Sequence, residues 1–491
     1  MKTKVILVGL VTVSLVLSLF LIGSAVGAEK EVKIGIMQAL TGDLGTYGGP
    51  MTDAAKLAVK EVNENGGVLG ADITVIVEDT QTSENSAVDA ATKLVKVNKV
   101  PAIIGTTSSG PSMAIIDITT GNGVIQISSS NTAPDFSTYE DNDLYFRTCP
   151  SDTLQGKAMA RLAINEGYTT ASTLVLNNPY GVGFEKVFKD EFESLGGTVL
   201  ESVKYDPAGT IFDSEVMKAC KPEPEVVMLC SYPETGSVVL KAAYEKGYMD
   251  NMEWLLSEGL RDETLAELVG KDEAGNYIVT GLNGTTPDPR VAGPAYESFK
   301  VKYEAEYDKE VTTYCSNSYD AAVLVALAIE KAEKATGTAI KAAIREVANP
   351  PGKEVTTVRE ALTLIREGQE INYQGASGEI TFDENGDVSG AYCRWYIAEN
   401  GSIVLAEPIY LDGPEVTPTP VEKVTPTPKA TTPAPAEVTP TPVKATPAPA
   451  KATPAQTLTP KATPKPPGFE AIFAVTSILA VAYLRMWRKA K

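Results

Sequence analysis

The chain has 491 residues, a formal charge of −20, five cysteines and no histidine. That length allows two or three domains with sizeable cores. The missing histidine excludes Ser-His-Asp and Cys-His catalysis and removes the commonest zinc and copper ligand, so carboxylate or Ser-Lys chemistry is what an enzyme would have left.

In chain order, Lys2 and Lys4 precede an apolar run from Val5 to Val26, and Val26-Gly27-Ala28 predicts cleavage before Glu29. An uncleaved N-terminal anchor is the alternative. EVKIGIMQAL then predicts a strand, and Met51, Ala54, Leu57, Ala58 and Val62 fall on one face of a helix that stops at Gly66-Gly67. ADITVIVED is a strand, SAVDAATKLVKVN a helix, VPAIIG a strand, Pro111 to Thr120 a helix and GVIQIS the next strand. The pattern restarts at TASTLVLNN, with a helix over GVGFEKVFKDEFESLGG and strands at VLESVKYD, EVVMLC and NMEWLLSEG. Strands alternating with helices at this spacing predict α/β architecture with parallel sheets covered on both faces.

Two apolar strands end in hydroxyl clusters: Thr106 to Ser109 follow Gly105, and Ser128 to Thr132 follow Ile127. Open α/β sheets bind ligands beyond the carboxyl ends of their strands, where loops lead into helices. Ser108 and Ser109, with the unpaired N–H groups of the following helix, therefore form a candidate anion site, and Ser130 and Thr132 fall beside it. Helix capping and turn chemistry is the ordinary use of any one of these residues. Two clusters on consecutive strand ends point to a site.

The C-terminal part changes character twice. Pro414 to Pro467 is a Thr/Pro/Ala tract, which favours extended polyproline conformations and predicts a stalk. Pro467-Gly468-Phe469 is followed by an apolar run, Ala471 to Leu484, and by Arg485, Arg488, Lys489 and Lys491. This order resembles the archaeal Pro-Gly-Phe C-terminal sorting signal, which implies processing by an archaeosortase. A plain transmembrane anchor is the alternative, and both place the protein at the outer cell surface. Residues 414–491 carry +6 and residues 1–28 carry +2, so residues 29–413 hold −28, a poor charge for nucleic-acid binding.

Cys149, Cys220, Cys230, Cys315 and Cys393 are odd in number and scattered, which is neither a disulfide framework nor a metal spacing. One disulfide or buried free thiols both fit. Asp383 to Asp387 (DENGD) lacks the rest of a calcium loop and predicts a hairpin turn. Asn283-Gly284-Thr285 and Asn400-Gly401-Ser402 have the form of N-glycosylation acceptors. No cofactor or metal site is expected.

VKIGIMQALTGDLGTYG, AVKEVNENGGVLGADITVIVEDTQ, AIIGTTSS, ISSSNTAP, YFRTCPSDTLQG and NNPYGVGF together resemble the solute-binding proteins of ABC transporters, of the branched-chain amino-acid type with the type I periplasmic-binding fold. The resemblance covers residues 31 to 412. It implies two doubly wound Rossmann-like lobes joined by three crossovers, near Pro150, Leu282 and Gly390, closing over a ligand. The expected organisation is a signal peptide over 1–28, an N-terminal lobe from 29–150 and 283–390, and a C-terminal lobe from 151–282 and 391–413. A stalk over 414–467 and a membrane anchor or sorting signal over 468–491 complete it.

By the same resemblance, Ser109 and Thr132 hold a ligand carboxylate, and the Ser130 backbone and Glu258 hold its ammonium. Tyr180 covers the ligand from the second lobe, and Tyr47 stands at the cleft rim. A zwitterion needs such a pairing of anion site and carboxylate. Thr107, Ser108 and Cys315, at positions that shape the side-chain pocket, are more polar than a leucine pocket requires, and the first-lobe disulfide of the family has no counterpart. The implied function is a non-enzymatic receptor that delivers an amino acid, branched-chain or other, or a related small carboxylate to an ABC permease. The alternatives are a sensory receptor of the same fold, or a binder of amides, urea, aromatic acids or sugars. An extracellular enzyme would need paired carboxylates or an activated nucleophile, and no such constellation is evident in the sequence.

Overall fold

The computed structural model describes residues 31–411. The predicted signal peptide, stalk and C-terminal hydrophobic helix lie outside them. Among the described residues no helix is long and apolar enough to cross a membrane.

The first half alternates as predicted: β1 (Val32–Gln38), α1 (Gly45–Glu64), β2 (Ile73–Asp79), α2 (Glu84–Thr92), β3 (Ala102–Gly105), α3 (Ser109–Thr120), β4 (Ile125–Ser128) and β5 (Tyr145–Arg147). These strands form one parallel sheet in the order β2-β1-β3-β4-β5. The second unit runs α4 (Asp152–Asn165), β6 (Thr170–Leu176), α5 (Pro179–Ser194), β7 (Thr198–Tyr205), α6 (Asp213–Cys220), β8 (Val226–Cys230), α7 (Pro233–Glu245), β9 (Glu253–Leu256), α8 (Leu265–Val269) and β10 (Asn283–Pro287). After α9 (Pro294–Tyr307), α10 (Cys315–Lys331), α11 (Gly337–Ala348), β11 (Lys353–Val355), α12 (Val358–Arg366) and β12 (Ile371–Tyr373), the described residues close with β13 (Tyr392–Ile397) and β14 (Ile403–Ile409). The second sheet has the order β14-β13-β10-β9-β8-β6-β7, and its last two strands close one edge antiparallel.

Each sheet has its own core. Ile34, Ile36, Ile104 and Ile127 pack with the inner faces of α1 and α10. Leu174, Leu176, Leu229 and Leu256 pack with Phe184, Phe188 and Trp254. The fully apolar β3 and β8 are strands buried on both faces, the environment that continuous apolar runs require.

One boundary differs from the sequence reading. Asn283–Pro287 pairs with β9 and β13, so it belongs to the second sheet, and the crossover expected near Leu282 follows Pro287. Gly284 fits there because a Cβ would sit 1.7 Å from the Leu256 carbonyl oxygen. Asp383 to Asp387 forms a turn, with the Asp383 carboxylate accepting from the Asn385 and Asp387 N–H groups. No named strands flank it directly. All five cysteines are free and buried. Asn283 lies within a central strand, whereas Asn400 is exposed at the β13–β14 turn.

β3 leaves the sheet through Gly105, whose φ of +129° is a conformation L side chains rarely adopt. A Cβ there would lie 1.9 Å from the Met37 carbonyl oxygen. Gly105→Ala is expected to cost about 3 kcal/mol or more of stability. Urea unfolding of the variant beside the parent measures it.

Candidate functional site

The two hydroxyl loops lie side by side at the carboxyl ends of β3 and β4. The Thr107 hydroxyl is spent within the wall, donating to Gln38 Oε1 at 2.8 Å and accepting from the Ala39 N–H. The Ser130 hydroxyl donates to the Thr107 carbonyl at 2.7 Å and so ties the second loop to the first. The Ser109 hydroxyl accepts weakly from the Ala133 N–H at 3.4 Å, at the start of α3. The buried Ser108 hydroxyl has no hydrogen-bond partner. Unpaired hydroxyls at a helix N-terminus attract negative charge.

Opposite them stands Glu258, 3% exposed. Gln155 donates to its Oε2 at 2.7 Å, and the Tyr314 hydroxyl lies 3.5 Å from its Oε1. Burial raises its carboxyl from 4.5 to about 7, against the hydrogen bonds that favour the charged form. Asp152, at the start of α4, is fully buried on the same side. Burial, then the charge of Glu258, pushes its carboxyl far above the usual range. Thr132 approaches it without reaching full hydrogen-bond geometry, so both Asp152 oxygens are unpartnered.

Ser109, Ser130, Thr132, Tyr180, Glu258 and Tyr47 all line one pocket. Tyr180 stacks on Tyr232 with centroids 5.6 Å apart, forming an aromatic wall from the second sheet's loops. Tyr47 crosses from the first sheet's side, its hydroxyl 3.0 Å from the Arg261 carbonyl and within reach of the Glu258 and Gly259 carbonyls. Asp43 also crosses, accepting from the Glu234 N–H at 2.8 Å and the Thr235 hydroxyl at 2.8 Å, at the N-terminus of α7. These contacts hold the cleft shut.

Sequence reasoning missed Asp152, Tyr232 and Tyr314. Asp152 follows Pro150-Ser151 and reads as an ordinary acid in the first turn of a helix. Tyr232-Pro233 echoes Pro179-Tyr180 at the next strand-to-helix junction, a signal that was there to be read. Tyr314 sits in a loop with no motif. Cys315, grouped by sequence with the side-chain pocket, does not line it; its thiol lies against the Thr312 hydroxyl. The carboxylate pair that the sequence did not reveal is thus Asp152 with Glu258.

Arg147 supports the loop from beneath. Its guanidinium is fully buried and pairs with Asp387 through Nε at 2.5 Å and Nη2 at 2.9 Å. Nη1 donates to the Asn131 and Ala133 carbonyls at 3.0 and 2.8 Å, bracketing Thr132. Burial works against its charge, but Asp387 outweighs that and holds it protonated.

A model of the receptor family ligand binding region matches residues 50–395, and the PGF-CTERM motif matches residues 467–488. The Leu/Ile/Val-binding protein BraC3 of Rhizobium johnstonii is 26% identical over 384 residues, covering 77% of this chain and 95% of its own. BasB of Halobacterium salinarum, the substrate-binding protein of a chemotactic signal transduction system, is 26% identical over 373 residues, covering 72% and 84%. The crystal structure of a leucine-binding protein from Thermotoga maritima superposes with a TM-score of 0.66 at 26% identity, covering 78% of this chain and 99% of its own.

Two expectations follow. Arg147→Ala leaves the Asp387 carboxylate without its cation and the Asn131 and Ala133 carbonyls without their guanidinium donor, and is expected to cost about 3–5 kcal/mol, read by denaturant unfolding. For Glu258 the folded value lies above the unfolded one, so its own contribution to the stability of the ligand-free protein is full below 4.5 and is lost as pH rises through about 7. The difference in melting temperature between the parent and Glu258→Gln should change across this window, isolating the Glu258 contribution from those of the other buried carboxyls.

Proposed function

We propose, from the premise that the chain belongs to the family of receptor ligand-binding regions, that it captures an amino acid between its lobes and delivers it to an ABC importer. Such a protein is a solute-binding receptor and not an enzyme. One observation carries the reading: the unpartnered Ser108 hydroxyl and its neighbour Ser109, at a helix N-terminus, share one pocket with the buried Glu258 carboxylate, and the buried Asp152 lies close behind. An α-amino acid supplies both missing charges. Its carboxylate goes to Ser109, Thr132 and the free Ser108 hydroxyl. Its ammonium goes to the Ser130 backbone and Glu258, with Asp152 alongside. Tyr180 covers it from the second lobe and Tyr47 seals the rim.

The mechanism is hinge closure about the segments 148–150, 287–289 and 388–391. A ligand that touches both lobes stabilises the closed form, which the permease recognises. The PGF-CTERM match supports a tether at the outer surface, with archaeosortase processing behind the Thr/Pro stalk. Likeness to BasB supports a second reading, in which the loaded receptor reports to a sensory partner.

Calorimetric titration with the common amino acids tests the ligand class. Saturable binding of one or a few is expected, weakened about 100-fold in Glu258→Ala through loss of the ammonium's partner. Heat from none of them would sink the amino-acid reading. Uptake of labelled ligand, compared with taxis toward it, in cells with and without the protein separates delivery from sensing.

A further inference from the structure

The closed pocket as it stands has no room for the ligand proposed above, main chain or side chain, so its lining must move to admit one. It leaves about 20 Å³ of free space, room for little more than one water. Behind it lies a second chamber of about 400 Å³, bounded by all three crossover segments through Thr148, Pro150, Asp288 and Gly390. Tyr314 is the one residue that lines both spaces. It is therefore the partition between them.

Two features mark that partition as movable. Tyr314 has φ +65°, a left-handed conformation that is unfavourable for a bulky aromatic residue. Its hydroxyl makes only a long contact with Glu258, at 3.5 Å. A side chain entering from the amino-acid pocket meets Tyr314 first, and the chamber behind it has the space to receive the ring or the side chain.

The chamber is also lined by Arg261, beside the Thr313-Tyr314 segment. Its guanidinium makes one hydrogen bond, from Nη1 to the Thr313 hydroxyl at 2.9 Å, and its buried Nε has no partner. Among the described residues no carboxylate lies within salt-bridge distance of it. The two carboxylates in the chamber wall are otherwise engaged: Asp288 pairs with Arg290, and Glu379 is exposed and accepts from Thr381. A planar cation with an unpaired donor in the wall of a cavity suits a carboxylate.

We infer that the inner pocket and the outer chamber form one bipartite site for an α-amino acid with an acidic side chain, with Tyr314 displaced and the distal carboxylate on Arg261. This inference rests on the amino-acid reading above. A leucine-type ligand would leave the Arg261 donor unpaired in the closed cleft, which disfavours it.

Titration of the purified protein with alanine, leucine, glutamine and glutamate tests it, beside Arg261→Gln and Tyr314→Gly. Glycine suits the left-handed backbone at 314, so that variant should fold, and melting curves check both. Glutamate is expected to bind at least tenfold more tightly than leucine. Arg261→Gln should reduce the ratio of alanine to glutamate dissociation constants tenfold or more, and Tyr314→Gly should narrow discrimination by side-chain length. Binding of neutral amino acids with no glutamate preference, or an unchanged ratio in Arg261→Gln, overturns the inference and leaves the amino-acid reading standing. No binding of any amino acid overturns both.

Discussion

The buried ion pair between Arg147 and Asp387 is the interaction on which the candidate site depends. Arg147 ends β5, Asp387 precedes the return of the chain to the second sheet, and the guanidinium's remaining donors hold the carbonyls on either side of Thr132. One side chain therefore fixes the strand, the hydroxyl loop and the third crossover relative to one another. Buried ion pairs seldom add much net stability, because desolvation offsets their attraction. Their geometric demand is the useful property: five donors in a fixed plane admit few loop conformations.

The pocket above this support is electrostatically unfinished. Glu258 and Asp152 are removed from water with no ion-pair partner among the described residues, the charge of Arg147 reaching Asp152 only at a distance, and Ser108 has a hydroxyl with nothing to bond. Apart from Arg147, the compensations are dipolar, from Gln155 and the hydroxyls of Tyr180 and Tyr314. Closing the cleft empty thus carries a cost that a zwitterion removes, which makes the closed state conditional on the right solute. Asp43 works the other way, since its bonds to the N-terminus of α7 join the two sides whether or not the pocket is filled.

The alternation of strands and helices was legible because parallel strands buried on both faces leave unbroken apolar runs, such as those ending at Gly105 and Cys230. The hydroxyl clusters were legible for the same reason, since their abrupt onset marks the strand ends. Ser109, Ser130, Thr132, Tyr180, Glu258 and Tyr47 do line one pocket. What the sequence concealed depends on distant packing. Asp152 resembles a routine helix-start acid until Glu258, 106 positions later, is brought beside it. The partnership of Arg147 with Asp387 spans 240 positions and leaves no local trace. Strand 283–287 was misplaced because a short polar NGTTP segment gives no hint of which sheet will accept it.

The five cysteines carry a consequence of their own. All are buried and none is paired, so no covalent cross-link restrains the chain when it unfolds. Its stability comes from non-covalent packing, hydrogen bonds and ion pairs, with none contributed by disulfide loop closure in the denatured ensemble. The folded receptor body therefore holds no bond for a reductant to break, and strong thiol reductants should leave its melting temperature where it was.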